Sequence, residues 1–270
     1  MKNTINDRVS IITIVLNGEK YIEQTINSVL NQKNVNFEYI IIDGGSKDNT
    51  LQIVEKYRDR IDIIISEHDD GIYDAINKGI KLANGSLIGI IHCGDYYTPD
   101  AVSIAYNEFI KTGADIIYGD ITIIDEIENQ NHNYIKFANH LKLRRKMSIF
   151  HPSSFISHEC YDKHGIYDTK YKIAADYDLF LRYFNKGLLF SHINCSLAFF
   201  RMGGVSSTQF KTLIKENILI KKHHIGQFEA TKFKYKNVLL NIYYSFRKSF
   251  TIFLIGKVNY NRIKLFISSH

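Results

Sequence analysis

The chain predicts an α/β fold in which strands and helices alternate and the strands lie in a sheet covered on both faces. Three observations carry that prediction. Residues 9–16 (V-S-I-I-T-I-V-L), 37–42 and 87–91 are short runs rich in apolar and β-branched side chains, as strands buried on both faces require. Apolar residues between these runs recur at helical spacing, and the connections are short, which implies parallel strands joined by right-handed crossovers. Acids also follow the ends of two runs, Asp43 after the second and Asp95 after the third. Ligands of open α/β sheets bind at the carboxyl ends of the strands.

The elements follow in order. The first strand ends at Asn17-Gly18, and Tyr21, Ile22, Thr25, Ile26, Val29 and Leu30 then mark one stripe of a helix. Residues 37–42 lead into D-G-G-S-K-D at 43–48, Leu51, Ile53, Val54 and Tyr57 suit a second helix, and residues 61–65 a third strand. Ala75, Ile76, Ile80 and Ala83 fall at helical spacing until Asn84-Gly85 breaks the pattern. Residues 87–91 end in His92-Cys93-Gly94-Asp95, which places a carboxylate beside a glycine at a strand end. A helix over 99–111 and a strand over 116–124 follow, and the polar stretch 125–139 reads as a loop or an antiparallel excursion. A-A-D-Y-D-L-F-L-R at 174–182 begins with acids and continues apolar, as a helix does when its N-terminus carries carboxylates. Residues 190–200 read as a further strand, followed by the glycine turn R-M-G-G-V-S at 201–206.

Composition sets the class. With 270 residues, 45% hydrophobic and 23% charged, the chain is globular and long enough to bury a core. Cys93, Cys160 and Cys195 lie far apart, which suggests neither a disulfide framework nor a zinc site, and a reducing compartment follows. Residues 1–8 are polar and show no signal-peptide pattern. The net charge of +6 divides unevenly. Residues 1–200 hold 21 Lys+Arg and 26 Asp+Glu, a net −5, whereas residues 201–270 hold 13 and 2, a net +11. The expected organisation is therefore a domain over 1–211 and a basic, aromatic-rich helical extension over 212–270. Such asymmetry points to an anionic partner, either nucleic acid or a membrane surface, or else to a solvated face. Arg247-Lys248 interrupts the apolar run 238–255, so this segment suits a membrane interface better than a spanning helix.

Several clusters carry candidate chemistry, each with a plainer alternative. In 43–48, Asp43 can accept hydrogen bonds from a nucleotide base while the glycines admit the backbone, but the same residues also make an ordinary tight turn. Asp95 suits a divalent cation on a diphosphate, or is an exposed strand-end acid. Asp176 with Asp178 suits a general base with a supporting acid, or complements a helix dipole. His151, before Pro152, can reach a diphosphate or metal, or is structural. G-x-G-x-x-G is absent, which excludes the dinucleotide fingerprint.

Taken together and in this order, these motifs resemble glycosyltransferase family 2, the inverting family with the GT-A fold. V-S-I-I-T-I-V-L-N at 9–17, D-G-G-S-K-D at 43–48, S-E-H-D-D-G-I-Y-D-A-I-N-K-G at 66–79, C-G-D at 93–95 and A-A-D-Y-D-L-F-L-R at 174–182 carry the resemblance. The third is similar to a bacterial subgroup making exopolysaccharide, capsule or O-antigen sugars. The resemblance implies a Rossmann-like mixed sheet flanked by helices, and transfer of a sugar from a nucleoside-diphosphate donor, UDP-linked, to a glycan or lipid-linked acceptor. It implies Asp176 as general base and Asp95 as the ligand of Mn2+ or Mg2+. Thr13, Asn17, Asp43, Gly44, Ser46, Glu67, Asp69, Tyr73, Asp74, Asn77, Lys78 and Gly94 would hold the donor, with Asp178, His151, Gly203 and Gly204 in support. The location implied is cytoplasmic and peripheral at the inner face of the membrane, with no nucleic-acid partner. Three positions depart from the pattern: Gly44 stands where many relatives carry a second Asp, Cys93 where the first acid of the D-x-D motif belongs, and Leu16 where some relatives place an aromatic against the base. The alternatives are a sugar-phosphate nucleotidyltransferase, disfavoured by N-G-E-K-Y-I after the first strand, and a non-catalytic binding module with this fold.

Overall fold

The computed structural model describes residues 8–127, 130–203 and 209–239. Nine strands form one sheet: β1 (Val9–Val15), β2 (Phe37–Asp43), β3 (Ile63–Ser66), β4 (Leu87–His92), β5 (Tyr96–Tyr97), β6 (Ile116–Ile127), β7 (Gln130–Lys136), β8 (Ser154–Ser157) and β9 (Phe190–Arg201). Their order is β3-β2-β1-β4-β8-β6-β9-β5, with β7 also paired to β6. The helices are α1 (Ile22–Leu30), α2 (Thr50–Glu55), α3 (Ile72–Leu82), α4 (Ala101–Thr112), α5 (His158–His164), α6 (Ala175–Asn185) and α7 (Phe210–His224), and residues 227–239 are also helical.

The sheet has a parallel half and a mixed half. Strands β3, β2, β1 and β4 run parallel, as short strand–helix–strand crossovers require. Beyond β4 the sheet is mixed, as the family resemblance implies: β8 pairs antiparallel with both β4 and β6, β5 pairs antiparallel with β9, and β6 and β9 run parallel. Stretch 125–139 is the antiparallel excursion, since β6 runs on to Ile127 and the chain returns along it as β7.

Side chains alternate between two apolar layers, as the period of a strand requires. From β1, Ile12 and Ile14 enter a layer with Ile76 and Ile80 of α3, Leu179 and Phe180 of α6 and Ile220 of α7. Val9, Ile11 and Val15 enter the opposite layer with Ile22 and Ile26 of α1, Val54 of α2 and Val102 of α4. The turn between α3 and β4 is fixed by Glu38, which is 2% exposed and accepts from Ser10 Oγ at 2.5 Å and Gly85 N at 3.1 Å, and also bonds Arg8 and the Asn84 amide. The basic extension expected from residue 212 does not begin as an appendage. Helix α7 crosses that boundary and buries Glu216, Ile220 and Lys221 against the body.

Candidate functional site

The parallel strands end side by side: Val15 is in register with Asp43, Asp43 with Ser66, and Ile14 with His92. Their following turns therefore share one carboxyl edge. Asp43 is fully buried, and its carboxylate accepts from Gly45 N at 3.2 Å, Ser46 N at 3.1 Å and Ser66 Oγ at 2.7 Å, and from Ser46 Oγ. Asn17 joins this turn to the end of β1, its N–H donating to Ser46 Oγ at 2.7 Å while its Oδ1 accepts from Lys47 N at 2.8 Å. The departure at Gly44 has a steric cause. A Cβ there would lie 2.3 Å from Asp69 Oδ2, so the space of a side chain at 44 is filled by an acid from the next loop. Asp69 is held in turn by Gly71 N at 3.0 Å.

Most of the motif at 66–79 braces the edge from within. Lys78 Nζ meets Glu67 at 2.9 Å and Asp74 at 3.2 Å, and donates to His68 O at 3.1 Å. The Asn77 amide clamps the Tyr167 backbone, donating to its carbonyl at 2.9 Å and accepting its N–H at 3.1 Å. Tyr167 stacks on Tyr73 with ring centroids 5.5 Å apart. Tyr73 OH donates to Ile173 O at 2.7 Å and lies 3.4 Å from Asp176 Oδ1. Thus the loop after β3 touches the acidic turn through Asp69, and the first turn of α3 touches the candidate base through Tyr73.

Asp95 follows a turn through Gly94, whose φ of 104° is a backbone conformation that side-chain-bearing residues seldom adopt. Asp95 is 6% exposed, and burial pushes its carboxyl up to about 7 against the opposing pull of Arg201. Its Oδ1 accepts the Arg201 N–H at 3.0 Å. The Arg201 guanidinium lies 4.3 Å over the Tyr21 ring, with Nε 3.3 Å from Gly94 O and one terminal nitrogen 3.0 Å from Gln24 Oε1. Sequence reasoning missed Arg201, although its place at the mouth of the R-M-G-G-V-S turn was a signal. Cys93 contributes no charge: burial raises its thiol to about 12. Among the described residues no three His, Cys, Asp or Glu side chains converge on a metal-binding point.

Asp176 sits in the first turn of α6 and is partly exposed. Burial raises its carboxyl to about 6, opposed by hydrogen bonds from Tyr177 N–H at 2.7 Å and from Tyr73. A carboxylate with its pKa near the working pH suits proton abstraction from a hydroxyl.

Some expected site residues face elsewhere. Asp178 lies about 200° around the helix from Asp176; it is 4% exposed and bonded by His224 Nε2 at 2.8 Å, so it cannot support the base directly. Thr13 is fully buried with its hydroxyl 3.0 Å from Tyr39 OH. Asn77 is 7% exposed and engaged with Tyr167, so it shapes the site from behind. The His151 ring packs tilted against His92 with centroids 4.6 Å apart, and its Nε2 lies 3.1 Å from Tyr167 OH. Burial keeps both imidazoles neutral, His92 down at about 4 and His151 well below its ordinary value. Gly203 has a φ of 102°, while Gly204 lies outside the described residues.

A parallel half ending in acidic turns, joined to a mixed half that brings in a helix-borne acid, is the GT-A arrangement. The chain matches the crystal structure of S. aureus TarS 1–349 in complex with UDP with a TM-score of 0.63 at 18% identity, over 84% of this chain and 69% of that one. A second TarS structure, in complex with UDP-GlcNAc, gives 0.63 at 17% identity, over 84% and 70%. Residues 10–167 match glycosyl transferase family 2, and the chain belongs to that family. Among curated relatives, a PGL/p-HBAD biosynthesis glycosyltransferase of Mycobacterium bovis is 28% identical over 206 residues, covering 74% of this chain and 79% of its own. The chondroitin synthase of Pasteurella multocida is 31% identical over 222 residues, covering 80% of this chain but 22% of its own length.

Proposed function

We propose that this glycosyltransferase moves a sugar, with inversion, from a UDP-linked donor to a hydroxyl of a glycan or lipid-linked acceptor in bacterial surface polysaccharide synthesis. The observation that carries the reading is Asp176, a carboxylate raised to about 6 and joined through Tyr73 to the strand edge that holds Asp43 and Asp95. Asp176 takes the proton of the acceptor hydroxyl, whose oxygen forms the new bond to the anomeric carbon. The bond from that carbon to the donor's diphosphate oxygen breaks, and its electrons leave with UDP. Asp43, Asn17 and Ser46 hold the nucleoside end, with Asp69 restoring the acid missing at Gly44. The structures of TarS with UDP and UDP-GlcNAc support the choice of nucleotide.

Asp95, one of whose carboxylate oxygens accepts the Arg201 N–H, would be the protein ligand of a divalent cation, Mn2+ or Mg2+, bound together with the donor diphosphate. Such an ion supplies Lewis-acid stabilisation of charge on the leaving diphosphate. Arg201, next to Asp95, adds a fixed positive charge to the same edge.

The acceptor reading extends to a peripheral cytoplasmic position at the inner membrane face. Supporting it, helical residues 227–239 expose Phe228, Tyr235 and Leu239 among Lys232, Lys234 and Lys236. No helix of the described residues is long and apolar enough to cross a membrane. Full-length protein should sediment with anionic vesicles, and Lys232→Glu/Lys234→Glu/Lys236→Glu should abolish this; equal sedimentation of both removes the membrane reading.

The central test is calorimetric titration with UDP and UDP-GlcNAc, with and without Mn2+. Metal-strengthened binding that is lost in Asp95→Ala is expected. Binding of neither nucleotide in either condition would replace the transferase reading with that of a non-catalytic binding module.

A further inference from the structure

Helix α7 begins beyond the family match, which ends at residue 167, yet it is fastened to the helix that carries Asp176. Lys221 Nζ donates to the carbonyls of Arg144 and Arg145 at 2.9 Å each, and His224 bonds Asp178. The contact nearest the site is made by Glu216, which is 7% exposed. One of its carboxylate oxygens accepts Lys172 N at 2.7 Å, and the other accepts Ile173 N at 3.0 Å and Ala174 N at 2.9 Å. Three consecutive N–H groups thus converge on one buried acid, an arrangement that satisfies the charge and fixes the backbone together. Ala174 is the N-cap of α6 and has no side-chain oxygen to offer, so the start of the helix is held from outside. Asp176 stands two residues further on.

We propose that Glu216 is a positioning residue for the general base: its carboxylate ties down the turn 172–174 that launches α6 and sets a fixed negative charge behind Asp176. This rests on the reading of Asp176 as the base. The groups facing Asp176 are Tyr73 from α3, Tyr167 from the segment before α6, the Tyr177 N–H of its own helix, and Glu216 from α7. The Tyr73 hydroxyl and the Tyr177 N–H favour the ionised form of Asp176, whereas burial chiefly, and the Glu216 charge in smaller part, oppose it. A helix that served only to cover apolar surface would not require an acid at this point.

The test titrates full-length protein carrying 13Cγ-labelled aspartate, with the Asp176 resonance assigned by its loss in Asp176→Asn. In Glu216→Gln the Asp176 midpoint should fall by on the order of half a pH unit, as expected when a nearby like charge is removed. Amide exchange at Lys172, Ile173 and Ala174 should quicken about tenfold, the loss of roughly 1.4 kcal/mol of protection. With UDP-GlcNAc, hydrolysis should lose kcat while KM stays level. An unchanged midpoint in folded Glu216→Gln overturns the proposal. If that variant does not fold, Glu216→Asp decides: quickened exchange at the three amides supports the tie, and unchanged exchange overturns it. If no donor is hydrolysed even by the wild type, the base reading fails separately, while the midpoint still decides the role of Glu216.

Discussion

Replacing Asn77 with alanine separates a bracing role from a donor contact. The Asn77 side chain makes two hydrogen bonds to the backbone of Tyr167, at 2.9 and 3.1 Å, in a buried setting. The substitution removes both partners while leaving the Tyr167 N–H and C=O in place, at a cost of about 1–3 kcal/mol for each buried group. Allowing for partial rescue by water, the loss is about 2–4 kcal/mol. For a chain of this size each kcal/mol shifts Tm by roughly 2–4 °C, so a fall of about 5–15 °C is expected. Tyr167 would also lose its register on Tyr73, and with it the contact to Asp176, so kcat for UDP-GlcNAc hydrolysis should drop. Scanning calorimetry and donor hydrolysis on the same preparation give both readings. An unchanged Tm with a raised KM would refute the reasoning and return Asn77 to the donor pocket.

Further outcomes follow from the carboxylates of Asp176 and Glu38. As the proposed base, Asp176 would act only when ionised, and burial raises its carboxyl to about 6; kcat should therefore fall tenfold per unit below about pH 6, and Asp176→Asn should lower kcat by about 10²–10⁴-fold, both read by steady-state kinetics. Burial alone would raise Glu38, but hydrogen bonds from Ser10 and Asn84 and the charge of Arg8 hold it below the ordinary carboxylate range. A depressed acid stabilises the fold above its unfolded value, about 4.3, and loses that contribution as pH falls through its lower folded value. Glu38→Gln should cost about 2–3 kcal/mol at pH 7 and flatten the acid limb of a Tm–pH curve, which thermal melts between pH 3 and 7 would show.

The parallel half was legible because strands covered on both faces must be apolar throughout, and residues 9–16, 37–42 and 87–91 advertise this. Strands β5 and β8 escaped notice, since β5 has two residues (Tyr96–Tyr97) and β8 (Ser154–Ser157) sets only two apolar side chains between serines, without the continuous apolar run that marks the four-residue β3. Helix α7 was misjudged for another reason. Glu216 and Lys221 look like surface charges in sequence, and only the folded chain supplies the backbone groups that allow them inside. The placement of Asp178 was available in advance, because residues two apart on a helix do not share a face. The Gly44 departure was visible but unexplained, since Asp69 reaches that space only through the folding of the next loop.

The clamp between Asn77 and Tyr167 and the bonds of Tyr73 to Ile173 and Asp176 join residues 90, 100 and 103 positions apart. The acidic turns, by contrast, lie within the first 95 residues on neighbouring strands. Closing the longer loops carries the greater entropic cost and comes late in assembly. During synthesis, then, the edge that bears the acidic turns can take shape while the turn before Asp176 still waits for α7. A ribosome that has released only residues 1–200 has delivered every acid of the site, but not Glu216, which secures the turn before Asp176. On the proposed role of Glu216, catalytic competence would follow the docking of α7, and a chain ending before it would hold a donor without turning it over.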